Sequence, residues 1–371
     1  MRDNRNLSTK GTAVATIWFK IGRLVTAGVI GAFLSQAAAP AVVASATPTA
    51  KVSYVHLKVH FHPFSMAVIG HKLYVGTVGE GVRASVVVLN AQTGALVKVF
   101  GSSGYPFGQI GVEAQVVQDG SYLLVGGAGV AVMKISTGKV LRTLNWSLPY
   151  YGFGACFTAS GNAVFAEGAA GAANHDVVEF SLQSGAEVRD ISGSQYDFWN
   201  PCHMVVQGDH VFVSNLNANA VTEFNATSGA FIRLLVSSQG AYDGPITVNG
   251  SVVAVAHSTN QVDEFSSSTG NLIRVIGLPE ESKLWADDIS SLAFDEGYIF
   301  AADNANGTVM EVDPQSGALV RVISGFSKGS GWKDQVVPDG PDLFVVSPGS
   351  SSISEVNVES GSLIRIISGP S

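Results

Sequence analysis

Charge is scarce in this chain, and positive charge is scarcer still. Only 13% of its 371 residues are Asp, Glu, Lys or Arg, and 21 basic residues stand against 29 acidic ones, a formal net charge of −8. Such a chain lacks the basic surface that neutralises a phosphate backbone, which sets nucleic acid aside as a partner and makes an anionic membrane a poor one. With two cysteines it is no disulfide-framework scaffold. No HExxH pair and no Gly-x-Ser-x-Gly elbow occurs. Beyond the first fifty residues the sequence also lacks helix-period stretches and any apolar run long enough to span a bilayer.

Those first residues are a separate element. Arg2, Arg5, Lys10, Lys20 and Arg23 precede the apolar run from Leu24 to Leu34, and small residues follow up to Ala44-Ser45-Ala46. This order is that of a secretory signal peptide, residues 1–46, cut after Ala46. A site after Ala39 is also correctly spelled but has Pro40 just beyond the cut; a retained anchor is the alternative, against which Gln36 and Pro40 argue. Five of the 21 basic and one of the 29 acidic residues lie in this segment, leaving 16 against 28 in the mature chain. A secreted, periplasmic or cell-surface location is expected, with no membrane span after cleavage.

What the sequence does have is a repeat. Thr93-Gly94, Thr137-Gly138, Ser184-Gly185, Ser228-Gly229, Thr269-Gly270, Ser316-Gly317 and Ser360-Gly361 place glycines 44, 47, 44, 41, 47 and 44 residues apart. Around each lie short alternating runs, as in 298–325, YIFAADNANGTVMEVDPQSGALVRVISG. A period in the forties built only of strand signals is one four-stranded propeller blade per repeat. The expectation is an all-β, seven-bladed β-propeller of antiparallel blades over 61–371, a monomeric ring, preceded by a linker and lead-in strand over 47–60. Because the seventh repeat already has its own last strand, the lead-in strand could pair beyond it, displace it or cap the ring.

Four residues after every turn glycine stands a base: Lys98, Arg142, Arg189, Arg233, Arg274, Arg321 and Arg365. Six before five of the glycines stands Glu179, Glu223, Glu264, Glu311 or Glu355. A type I turn with a glycine bulge puts each glutamate directly across from an arginine. The basic ring then reads as a neutralised, solvated outer edge that discourages edge pairing, rather than as a polyanion surface.

The LYVG segment, polar turn, VVVLN strand and Thr-Gly turn of 73–94 resemble the YVTN-repeat family of bacterial propellers, as do HVFVSNLNANAVTEFNATSGAFIRLL in the fourth repeat and its counterpart in the sixth. The resemblance covers 61–369. It implies the fold and leaves function open among binding modules, surface proteins and enzyme scaffolds. The blades also resemble quinoprotein repeats, but a basic residue holds the place of their docking tryptophan, which counts against a quinone. WD repeats are set aside because no Trp-Asp closes a strand.

The resemblance also implies that the links between blades gather with the second-to-third-strand turns around one mouth of the central channel. Those links carry Tyr151 and Phe153, Tyr196, Phe198 and Trp199, then Tyr242, Trp285 and Trp332. Asp197, Asp243, Asp287, Asp288 and Asp334 accompany them. Aromatics with carboxylates beside them suit stacking on a sugar, a peptide or a protein ligand; no cofactor is expected, though calcium or another divalent cation fits the acids. The bland alternative is that the rings wedge between blades and the acids cap turns. A lyase or lactonase of the streptogramin-lyase kind would instead use a channel histidine, His203, with a metal held by mouth carboxylates such as Asp288, and a third alternative is a protein–protein interaction scaffold that works through its blade edges. His56, His60 and His62 fall on one strand face as a weak metal pattern, or as outward residues of an edge strand. Cys156 and Cys202 open inner strands of adjacent repeats and could form one disulfide; two buried thiols are the alternative if the strands stand too far apart.

Overall fold

The structure, a computed structural model, describes residues 52–77, 85–101, 115–126, 130–144, 156–168, 176–215, 218–236, 244–257, 261–278, 289–295, 297–326 and 335–370. They form seven antiparallel sheets, each meandering from an inner to an outer strand: blades 63–100, 116–144, 157–192, 201–236, 246–277, 289–324 and 335–368. Each inner strand neighbours the inner strands of the two adjacent blades, so the ring closes where blade 7 meets blade 1. Apart from two single 3-10 turns, Ser194–Tyr196 and Pro348–Ser350, no helix occurs among the described residues.

The closing blade has a fifth strand. Ser53–His56 adds beyond the outer strand Leu363–Ser368, and it does so in parallel, with Ser53 opposite Arg365 and His56 opposite Ser368. Two further bonds, Leu57 N to Ser368 O at 2.7 Å and Phe61 N to Pro370 O at 2.9 Å, carry the lead-in along the same edge. Leu57 and Phe61 are buried with residues of blades 7 and 1. Of the three histidines expected on one strand face, only His56 lies in the strand; His60 and His62 lie in the segment that leads to the first inner strand.

Local rules account for the blades. In every blade the third and outer strands shift register at the turn, as a glycine bulge requires. Asn90, Asn225 and Asn357 each accept two or more bonds from the Thr or Ser three residues on, which fixes the turn. Within each blade both faces are apolar, and each of the seven blade-to-blade interfaces is filled by one apolar cluster. Phe165, Phe212, Phe300 and Phe344, all third in their second strands, are fully buried there and fill the widening gap between sheets.

The glutamate–arginine register is as the spacing requires: Glu179 faces Arg189, Glu223 faces Arg233, Glu264 faces Arg274, Glu311 faces Arg321 and Glu355 faces Arg365. The pairs are not, however, a solvated outer edge. All five carboxylates are buried, at 2.7 Å for Glu179, 3.0 Å for Glu264, 2.6 Å for Glu311 and 2.8 Å for Glu355 from their arginines. Each guanidinium then reaches the next blade's turn. Arg142 donates to Leu182 O at 3.1 Å, Arg189 to Thr227 O at 2.8 Å, Arg233 to Ser268 O at 3.0 Å, Arg321 to Glu359 O at 2.7 Å and Arg365, across the closure, to Gln92 O at 2.6 Å. Arg274 lies over the blade 6 turn, where a Cβ on Gly317 would meet its Cδ at 3.4 Å. The spacing that reads as a neutralised rim is thus a clasp between blades. Blades 1 and 2 depart from it: Arg142 stands across from Val132 and not from a glutamate, and in blade 1 Lys98 sits over the Phe100 ring, while Phe100 itself enters the next turn, where a Cβ on Gly138 would come within 2.0 Å of it.

A second belt runs around the channel. Val116 N donates to Ser65 Oγ at 3.0 Å, Val336 N to Ser291 Oγ at 3.2 Å and Met66 N to Gln335 Oε1 at 2.6 Å, while Gln115 Nε2 reaches Phe157 O at 3.4 Å. Each of these side chains stands opposite, or one step beside, the fifth residue of its second strand, and each ties one blade to the next. Cys156 holds the same place in blade 3, its carbonyl accepting from Glu167 N, and it is disulfide-bonded; the sequence offers one other cysteine, Cys202. A thiol titration of the denatured, unreduced protein is expected to find none free, and two after reduction.

Burial pushes the Glu264 and Glu355 carboxyls up to about 7, against the pull of Arg274 and Arg365, and raises Glu179 and Glu311 for the same reason. A carboxyl raised on folding stabilises the fold fully below its unfolded pKa, and that contribution is lost as pH rises through the folded value. Urea unfolding between pH 5 and 8 should therefore show stability falling up to pH 7, by at most about 1.4 kcal/mol per pH unit for each group. Glu264→Gln and Glu355→Gln should each flatten that slope.

Candidate functional site

The antiparallel order sends the inner-to-second turns and the Thr/Ser-Gly turns to one end of the ring, and the second-to-third turns and blade links to the other. At that second end, among the described residues, one link is complete: residues 193–200, from blade 3 to blade 4. It contains Asp197 and Trp199, and His203 follows in the inner strand Pro201–Gln207. Tyr151, Phe153, Tyr242, Asp243, Trp285, Asp288, Trp332 and Asp334 lie outside the described residues.

Alternation sorts this link. Tyr196 and Phe198 are buried, while Asp197 and Trp199 are exposed, Trp199 by 51%. The two buried rings stack at 5.2 Å between centroids, and Tyr196 meets Phe224 and Phe231 edge-on. Tyr196 therefore wedges between blades, and its hydroxyl donates to Gly229 O at 2.6 Å. Asp197 at φ 50 and Asn200 at φ 54 take left-handed backbone on either side of the Phe198–Trp199 pair, a conformation that Asp and Asn tolerate better than most residues.

The link is also held from beneath by blade 4. Asn215, fully buried at the end of the second strand His210–Asn215, accepts from Trp199 N at 3.4 Å through Oδ1. Its Nδ2 donates to Ala220 O and to Thr222 Oγ1, both at 3.2 Å, and the Thr222 hydroxyl donates to Tyr196 O. Three buried polar groups thus fix the backbone on which an indole is left facing solvent. His203 is half-buried and shares the bulge of its inner strand with Cys202, in the channel-belt place that Ser65 and Gln335 take elsewhere.

Asn215 belongs to a series that the sequence reading missed. The sixth residue of the second strand is Thr77, Asn215, His257, Asp303 and Ser347 in blades 1, 4, 5, 6 and 7, all buried and all polar, whereas blade 3 has Gly168. Thr77 shares a bond with Ser85 Oγ at 2.7 Å, and Asp303 accepts from Asn306 N at 3.0 Å and Nδ2 at 2.7 Å. In blade 5 the place of Thr222 is taken by Asp263, fully buried on the same sheet face as His257. The signal was legible: each polar residue ends a run of apolar ones, as in LYVGT, VFVSN, VAVAH, IFAAD and LFVVS. Among the described residues no three His, Cys, Asp or Glu side chains form a metal-holding group, and no helix is long and apolar enough to cross a membrane.

No family model matches the chain, and no curated protein does. Among solved structures it is similar to the computationally designed Ika8 protein, with TM-score 0.56 at 16% identity over 85% of this chain and 90% of that one. At that identity the likeness speaks to fold alone, and the propeller is what it supports.

Replacing Asn215 by alanine removes the acceptor of the Trp199 amide and the donor to Ala220 O and Thr222 Oγ1. The expected cost is about 1–3 kcal/mol in urea unfolding, with faster hydrogen exchange over 196–200 than elsewhere in blade 4.

Proposed function

We propose that the protein is an exported, non-enzymatic recognition module that binds a carbohydrate, a peptide or a surface protein through the mouth formed by the blade links. One observation carries this reading: Trp199 is held out to solvent on a link whose backbone is pinned by Asn215, Thr222 and the buried Tyr196. About half of that indole's surface faces solvent on this platform. A rigid aromatic that loses little entropy on contact is what binding surfaces use as an anchor. The exposed carboxylate of Asp197, two residues away, adds an acceptor for sugar hydroxyls or for a basic side chain. The acidic balance of the chain fits such a partner and disfavours a polyanion.

The reading is tested by thermal shift of the mature protein against panels of glycans and of peptides, with and without chelator. A specific ligand at a hundredfold its Kd should add about 2.7 kcal/mol of stability. Trp199→Ala should abolish that shift while changing the unliganded stability by no more than about 0.5 kcal/mol. A shift that comes from a divalent cation, is reversed by chelator and is lost in His203→Ala would replace this reading with a metal-dependent enzyme.

A further inference from the structure

The rim of a propeller leaves backbone unpaired on every outer strand, and blade 7 shows what fills that place. Its outer strand, Leu363–Ser368, reads LIRIIS and is covered in parallel by Ser53–His56, Tyr54 opposite Ile366 and Val55 opposite Ile367. Under that cover Leu363, Ile364 and Ile366 are half-buried. The outer strand of blade 5, Leu272–Gly277, reads LIRVIG and differs from it only at Val275 and Gly277. No strand lies beyond it among the described residues, and Leu272, Ile273 and Val275 are 41%, 45% and 38% exposed. Its one charged residue, Arg274, is turned inward to Glu264 at 3.0 Å and does nothing to guard the edge. It has none of the lysine, proline or acidic residues with which sheets blunt a rim, while Leu96–Phe100 carries Lys98, Lys139–Leu144 begins with a lysine and Glu187–Ser192 holds Glu187 and Asp190.

We propose that the blade 5 rim is a docking edge for an extended strand of another polypeptide, of the kind that Ser53–His56 supplies to blade 7. The blade 7 register transfers directly: a small residue opposite Arg274, an aromatic opposite Val275 and a β-branched residue opposite Ile276. Main-chain bonds supply the adhesion and the apolar side chains on Leu272, Ile273 and Val275 select the partner. The strand comes from outside the molecule, because this chain's own Ser53–His56 is engaged on blade 7 and its continuation, Leu57 and Phe61, is buried in the closing core.

The test is fluorescence anisotropy of a labelled peptide spanning 52–61, VSYVHLKVHF, against the folded mature protein. Saturable binding is expected, weakened by about tenfold or more in the double variant Ile273→Lys, Val275→Lys and unchanged in the matching blade 1 variant Val97→Lys, Val99→Lys. A peptide carrying Val55→Pro, which removes a ladder donor, should not bind. Val275→Lys alone serves if the double variant fails to fold. No binding up to about 1 mM, or binding that survives the blade 5 substitutions, overturns the proposal; the second result would put the peptide on another uncovered rim, such as Phe231–Val236 or Ala318–Ser324, or in exchange with the native strand on blade 7.

Discussion

A sheet that is apolar on both faces cannot stand alone, and everything in this molecule follows from how each blade is fastened to the next. The fastening has two radii. Near the channel, hydroxyl and amide side chains at the head of the inner strands bond to the neighbour's backbone. Near the rim, an arginine held by a buried glutamate of its own blade reaches over the seam to the carbonyls of the next turn. Between them the phenylalanines fill the taper. The arginine is well suited to this work, since its planar fork can serve a carboxylate and a backbone oxygen together, whereas an ammonium on a flexible stem would satisfy them less geometrically. Burying the carboxylate is tolerable only because the arginine is there.

How much of this could be read beforehand depends on whether the cause was local. The period, the turns and the facing of Glu223 and Arg233 are consequences of spacing within one hairpin, so they stand in the sequence in full. That the same glutamate is buried is a consequence of the adjacent blade, and no window of residues contains it. The closing strand is similar: alternation marks a strand near Ser53, but its parallel seat on Leu363–Ser368 joins residues three hundred positions apart and depends on the ring being complete. The link aromatics divided for the same reason. Tyr196 and Phe198 went between blades and Trp199 went to solvent, a choice set by a two-residue alternation anchored in Asn215, which the sequence shows only as the polar end of an apolar run.

The mouth and the body of the ring are built on opposite principles. Residues that recur in every blade make blades, so the proposed recognition would rest on what does not recur. The sixth residue of the second strand is such a place: threonine, asparagine, histidine, aspartate and serine replace one another on one scaffold position. In blade 4 this residue holds the link, through Trp199 N, while in blades 1 and 6 it bonds to Ser85 and Asn306 beyond the second strand. This is how a repeat fold acquires a surface that has no repeat.

One seam is made of different material from the rest. Between blades 1 and 2 a phenylalanine, Phe100, fills the groove that arginine fills elsewhere, with the Lys98 ammonium resting over its ring. Hydrocarbon contacts weaken on cooling and are indifferent to protons, while the charged clasps respond to pH and hardly to cold. A rise in pH toward neutrality therefore acts at the clasps, whereas cold weakens the apolar packing of every seam, and between blades 1 and 2 no arginine clasp stands beside that packing among the described residues.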